Sequence, residues 1–142
     1  MIRGKIMKKP YVFLAMITAI AICFATMPFF FLGAPLPLFS IDNKDVIEHK
    51  AVIEMFDSTN KSLLKEAYEL TPDKSITRSK PTWLSLKLSF PPGRTEEYTI
   101  KVTLDDNLTN KFQMDLGLWN SFDIILYNYS SEYPLVIREI TV

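Results

Sequence analysis

Only one cysteine, Cys23, and one histidine, His49, occur in 142 residues. A lone cysteine cannot close an internal disulfide, and one cysteine with one histidine cannot supply the usual ligand sets of zinc or copper centres. Glycine is scarce at four residues, and none falls in a G-x-x-x-x-G-K pattern that would cradle a phosphate. No Gly-x-Ser-x-Gly elbow is present, and a serine hydrolase would have only His49 as its base. Net charge is missing too. Sixteen basic and sixteen acidic side chains cancel, which removes the electrostatic case for binding nucleic acid. The expectation is a protein with no catalytic residues, no cofactor, no metal and no nucleic-acid partner.

Single residues that carry chemistry have plain structural readings. His49 shares a face with Ile47 and Ala51, as a partly buried structural histidine would. Glu96, Glu97, Asp105 and Asp106 collect at strand ends, where solvated turn charges are the ordinary outcome and an opposed glycosidase pair is not indicated. Asp105, Asp106 and Asn107 offer hard oxygen ligands, yet the EF-hand loop pattern is absent.

Charge of either sign is absent between Lys9 and Asp42. Within that gap Tyr11 to Leu32 reads YVFLAMITAIAICFATMPFFFL, a stretch of 22 residues. As a helix it would reach about 33 Å, enough to cross a hydrocarbon core of about 30 Å. Arg3, Lys5, Lys8 and Lys9 precede it, whereas sixteen acidic and twelve basic residues follow from Asp42 onward. Lys and Arg beside a span favour the cytoplasmic side. The expected organisation is a basic cytoplasmic terminus (residues 1–10), a transmembrane helix (11–32) that contacts the lipid bilayer, and a Pro-rich apolar stalk (33–43). An extracytoplasmic domain (44–142) follows. Pro28 is expected to kink the span or end it early. A cleavable secretory signal would have a shorter apolar core, of about 7–15 residues. A pilin-like leader would process at Arg3-Gly4, but Lys5, Lys8, Lys9 and Pro10 then intervene before the apolar run.

Beyond residue 44 the apolar residues alternate with period two. Ile47, Ala51, Ile53 and Met55 oppose Glu48, Lys50 and Glu54. Leu64, Tyr68 and Leu70 alternate with Lys65 and Glu69, although Leu63, Leu64, Ala67 and Leu70 also fit a helical period. Leu84, Leu86, Leu88 and Phe90 alternate with Ser85, Lys87 and Ser89. Tyr98, Ile100, Val102 and Leu104 follow, then a short strand near Phe112–Met114, then Phe122, Ile124 and Leu126. The last strand is Leu135 to Val142. Turn clusters at Asp57–Asn60, Thr71–Lys74 and Asp105–Asn107 are too short for parallel crossovers. The expected fold is all-β: an antiparallel immunoglobulin-like β-sandwich of seven to eight strands after one N-terminal transmembrane helix. Two hairpins are expected, Thr82–Phe90 with Glu96–Leu104 and Ser121–Asn128 with Leu135–Val142. A small barrel is the alternative.

The run Phe56-Asp57-Ser58, Leu63-Leu64 and Tyr68-Glu69-Leu70-Thr71-Pro72-Asp73-Lys74-Ser75 resembles immunoglobulin-like modules of archaeal cell surfaces, with their "L-x-P-G-x-S" corner. Glu97-Tyr98-Thr99-Ile100-Lys101-Val102-Thr103-Leu104-Asp105 is similar to the "Y-T-V-x-V-x-L-D" strand of the same modules. Asp73 stands where those modules carry glycine. The resemblance spans Val46 to Asp106 and implies fold and location, without catalytic residues.

Three Asn-x-Ser/Thr sequons, at Asn60, Asn107 and Asn128, lie at or beside expected turns as candidates for N-glycosylation. Trp83, Trp119, Tyr129 and Tyr133 are candidate partner-contact residues, because exposed aromatics beside polar residues mark interaction surfaces. Lipid-surface contact and core packing are the competing roles for these rings. The expected function is structural or interactive: a membrane-anchored module with a protein partner in the envelope or membrane. The alternative is a pilin-like filament subunit with a β-sandwich head.

Overall fold

The computed structural model describes residues 9–91, 93–127 and 132–141. The chain divides into two compact units, one ending at Ala34 and the other spanning residues 35–142. The first is a single helix, α1 (Lys9–Leu32). Every described side chain from Pro10 to Phe31 is exposed. Its two threonine hydroxyls are satisfied within the helix, Thr18 Oγ1 donating to the Leu14 carbonyl and Thr26 Oγ1 to that of Ile22, each at 2.9 Å. Among the described residues, this one helix is long and apolar enough to cross a membrane. It runs through Pro28 to Leu32, and Gly33 closes it with a left-handed φ of 76°, the usual glycine cap.

The second unit holds two four-stranded sheets. Its strands are β1 (Phe39–Asn43), β2 (His49–Phe56), β3 (Ser62–Leu70), β4 (Ser75–Arg78), β5 (Glu96–Leu104), β6 (Leu108–Leu116), β7 (Asn120–Leu126) and β8 (Leu135–Thr141). One sheet has the order β4-β1-β7-β8 and the other β3-β2-β5-β6. Their facing sides share one core. Phe39, Ile41, Phe122 and Ile124 of the first sheet meet Ile53, Met55, Tyr98, Ile100 and Val102 of the second. Edge contacts join the two layers, with the Phe39 and Tyr68 rings 6.0 Å apart and those of Phe112 and Phe122 at 5.5 Å.

The expected hairpin of β7 with β8 is present, Ser121 opposite Ile140 and Leu126 opposite Leu135. The ambiguous Leu63–Leu70 stretch is strand, β3, paired with β2. Four expectations are corrected. Thr82–Ser89, read as the clearest strand, is a helix, α2 (Thr82–Ser89), so its hairpin with Glu96–Leu104 does not form, and β5 pairs instead with β2 and β6. The domain is therefore not purely β. Trp, Leu, Lys and Ser between Trp83 and Ser89 include no β-branched residue, and Leu84 and Leu88 lie one turn apart, both buried. Pro91 forces Phe90 out of helical geometry, and Phe90 is extended at φ −132°.

Second, the stalk ends sooner than residue 43. Phe39–Asn43 is an interior strand with Leu38, Phe39 and Ile41 fully buried. Third, β1 pairs parallel to β7, Phe39 opposite Phe122 and Ile41 opposite Ile124, inside an otherwise antiparallel sheet. Burying three large apolar side chains, each worth about 2 kcal/mol, outweighs keeping that segment extended at the surface. Fourth, Ile47 is exposed and belongs to the turn before β2, while His49, Ala51, Ile53 and Met55 form the inward face.

Candidate functional site

The registers define two ends of the domain. Phe39, Arg78, Asn120 and Thr141 mark one end of the first sheet, and Leu36 N donates to the carbonyl of Leu118, which follows β6. This near end adjoins the segment arriving from α1. The far end carries the turns before β2, between β5 and β6, and between β7 and β8.

At the far end, the alternation that buries Ala51 and Ile53 also buries His49, at the first position of β2. Its Nδ1 lies 2.7 Å from Asp105 Oδ2 and its Nε2 2.9 Å from Asp45 Oδ2. Asp105 Oδ1 accepts from Lys50 N at 2.7 Å, and Asp45 Oδ1 from Val46 N at 2.6 Å. Asn43 extends the network, its Nδ2 donating to the Ile47 and Leu70 carbonyls at 2.8 Å each. One polar hub therefore ties the end of β1 to β2, β3 and the β5–β6 turn. Burial alone would lower the His49 pKa. The hydrogen bonds and charges of Asp105, then Asp45, outweigh burial and hold it above the ordinary histidine value. An imidazolium engaged at both nitrogens has no lone pair to offer a metal or a substrate proton. The arrangement suits a clamp and not a general base.

At the near end, Lys80 sits just before α2 and points inward. Its Nζ donates to the carbonyls of Leu36 (2.7 Å), Pro37 (3.0 Å), Asn120 (2.7 Å) and Leu118 (3.3 Å). Burial pushes its ammonium down to about 8. Sequence offers no signal for this cage, since Lys80 stands between Ser79 and Pro81 like any loop lysine.

Glu54, Glu66 and Glu96 are each held by lysine or arginine. Glu54 lies between Lys65 (2.7 Å) and Lys101 (2.9 Å), whose hydrogen bonds lower its pKa. Glu66 binds Arg78 through two guanidinium nitrogens and accepts from the Tyr68 hydroxyl. Burial first, then Glu66, pushes Tyr68 up to about 12. Glu96 meets Lys87 at 2.5 Å and Arg94, and accepts from the Tyr98 hydroxyl at 2.8 Å. A groove crosses the outer face of β2, β3 and β5, and its Lys50, Glu54, Lys65, Glu66, Lys101 and Asp106 alternate in sign.

The three described candidate aromatics, Trp83, Trp119 and Tyr133, do not form one surface. Trp83 lies on α2 at 44% exposure, and Tyr133 is 64% exposed toward the far end. Trp119, at 8%, is buried in the β6–β7 connection with Leu118, which corrects its reading as an exposed contact residue. Gly117, Leu118 and Trp119 carry the chain from one sheet to the other, and the Leu118 and Trp119 side chains fill the end of the core. Tyr129 and Asn128 lie outside the described residues. Asn60 is exposed in the β2–β3 turn with φ 62°, and Asn107 is exposed in the β5–β6 turn. The exposed Leu86 and Phe90 beside Trp83 went unnoticed in the sequence, because strand periodicity had turned the leucines inward. No protein-family model matches this chain, and no curated protein is significantly similar to it.

Proposed function

We propose that this protein is a single-pass membrane module: a cytoplasmic amino terminus, α1 as an uncleaved anchor, and an extracytoplasmic immunoglobulin-like β-sandwich domain. Its role is structural or interactive, as an accessory subunit of an envelope or membrane complex. The observation that carries this reading is α1 itself, an apolar helix whose described side chains are exposed and whose threonine hydroxyls are bonded in-helix. Such a surface is solvated by lipid far better than by water. Arg3, Lys5, Lys8 and Lys9 before it support the orientation. Asp73, with a left-handed φ of 58° where the archaeal surface modules carry glycine, is consistent with kinship in the fold.

A non-catalytic role is supported by the engagement of His49 with Asp45 and Asp105, and of Glu54, Glu66 and Glu96 with lysine or arginine. Val46, Ile47 and Tyr133, all exposed and toward the far end, support a protein contact there. Glycosylation at Asn60, Asn107 and Asn128 follows from the same orientation. The test is a photo-reactive residue at position 133, crosslinked in native membranes. One reproducible neighbour, lost when Val46 and Ile47 become serine, is expected. Absence of any captured protein would remove the interaction role. Protease added to sealed cells should remove the domain and spare the amino terminus; the reverse pattern would invert the topology.

A further inference from the structure

We propose that α2 lies in the headgroup layer of the bilayer crossed by α1, with Trp83, Leu86 and Phe90 as its lipid-facing ridge; this rests on the anchor reading above. Trp83 is 44% exposed, Leu86 63% and Phe90 65%. Trp83 and Leu86 are one turn apart, and Phe90 directly follows the helix, while Leu84 and Leu88 hold the opposite side in the core. A helix of eight residues that is apolar on both sides has one side unaccounted for by its own fold.

The occupant follows from where α2 is tied. Lys80, two residues before the helix, grips the Leu36 and Pro37 carbonyls, and Ser85 of α2 lines a groove with Pro35, Leu36 and Pro37. Leu36 is only four residues beyond Leu32, the last residue of α1. Four residues reach at most about 14 Å, whatever angle the two units take. The interfacial layer on each side of the hydrocarbon is about 6 Å thick, and helices resting in it sink about 5–10 Å. The start of α2 is therefore tethered within reach of that layer. Tryptophan is the side chain most at home there, with an apolar ring and a polar N–H. The neighbouring cations Lys87 and Arg94 both bind Glu96, and Glu97 follows it, so the local charges cancel and the contact is driven by apolar surface, with no preference for lipid charge.

The test uses the full chain at about one copy per vesicle in phosphatidylcholine, wild type against Trp83→Phe, so that the difference emission reports Trp83 alone. A doxyl group at carbon 5 of the lipid should lower that emission about twofold, and one at carbon 12 should do less, as expected of an interfacial indole. Replacing a fifth of the lipid with phosphatidylglycerol should change neither value. Quenching by aqueous iodide with no effect of the doxyl lipids would leave Trp83 in water and overturn the proposal. Shielding from both quenchers would mean that the chain itself covers Trp83, and would overturn it equally. The same vesicles are washed with alkaline carbonate. Release of the protein would sink the anchor and this proposal together, whereas retention without lipid quenching would sink this proposal alone.

Discussion

Asp105 Oδ2 lies 2.7 Å from His49 Nδ1, joining a hairpin turn to the first residue of a strand 56 positions earlier. Asp105 and Asp106 both have left-handed backbones, at φ 50° and 56°. A turn that reverses β5 into β6 this tightly favours glycine or asparagine in that conformation. Aspartate is found instead because its carboxylate binds both the ring and Lys50 N.

Replacing Asp105 with glycine should relieve the backbone and still cost stability. About 1 kcal/mol of strain is recovered, and two charge-assisted hydrogen bonds, each worth about 1.5 kcal/mol or more, are lost. Urea unfolding of the full chain in detergent should show Asp105→Gly less stable by about 2 kcal/mol; equal or higher stability would mean the clamp contributes nothing.

His49→Gln leaves the buried Asp45 carboxylate without its cationic partner and should cost about 3 kcal/mol. The folded chain holds the His49 proton more tightly than the unfolded chain does. Its contribution is thus full below the unfolded pKa of about 6.5 and fades as pH rises through the higher folded value. Wild-type Tm should fall over that rise while the His49→Gln profile stays flatter. Parallel profiles for the two chains would refute the charged clamp.

Lys80→Met should strand the Leu36, Pro37 and Asn120 carbonyls at the end of the core. The expected loss is about 2 kcal/mol, the usual penalty for buried acceptors left without a donor. Hydrogen exchange should show faster protection loss at Leu36 and Leu38 N–H than at strands of the second sheet. Uniform loss across both sheets would mean that Lys80 is not specific to the incoming segment.

Asp73→Gly should stabilise. Pro72 and Asp73 occupy the centre of a turn closed by Lys74 N donating to the Thr71 carbonyl at 3.1 Å, and Asp73 has φ 58°. Proline followed by a left-handed residue is the type II pattern, which prefers glycine second. The gain expected is about 0.5 kcal/mol, since relief of strain is partly offset by a freer unfolded chain. A drop in stability would assign Asp73 a contact of its own.

The long apolar helix was legible because charge vanishes from Lys9 to Asp42, and the β7–β8 hairpin because Ile124 and Leu126 alternate beside a short connection. Failure came where two periods coincide. Leu84, Leu86 and Leu88 satisfy a strand, while Leu84 and Leu88 alone satisfy a helix, and only the lack of β-branched residues tips the balance. Strand β1 was hidden because proline and leucine before it mimic a linker, and its parallel partner lies more than 80 residues away. The His49 clamp was half visible: its burial followed from alternation, but nothing local announces that Asp105 will meet it. Lys80 left no trace, since its partners are all backbone carbonyls.

Lys80 also governs how a pull on the protein would travel. Tension along the incoming chain meets the Leu36 and Pro37 carbonyls first, then β1, which is flanked by β4 on one side and β7 on the other. Drawn lengthwise, that strand must break its bonds to both neighbours together, in shear and not one by one like a zipper. The strand by which the chain enters this domain is therefore held where peeling cannot begin, the stiffer of the two ways a sheet can be loaded.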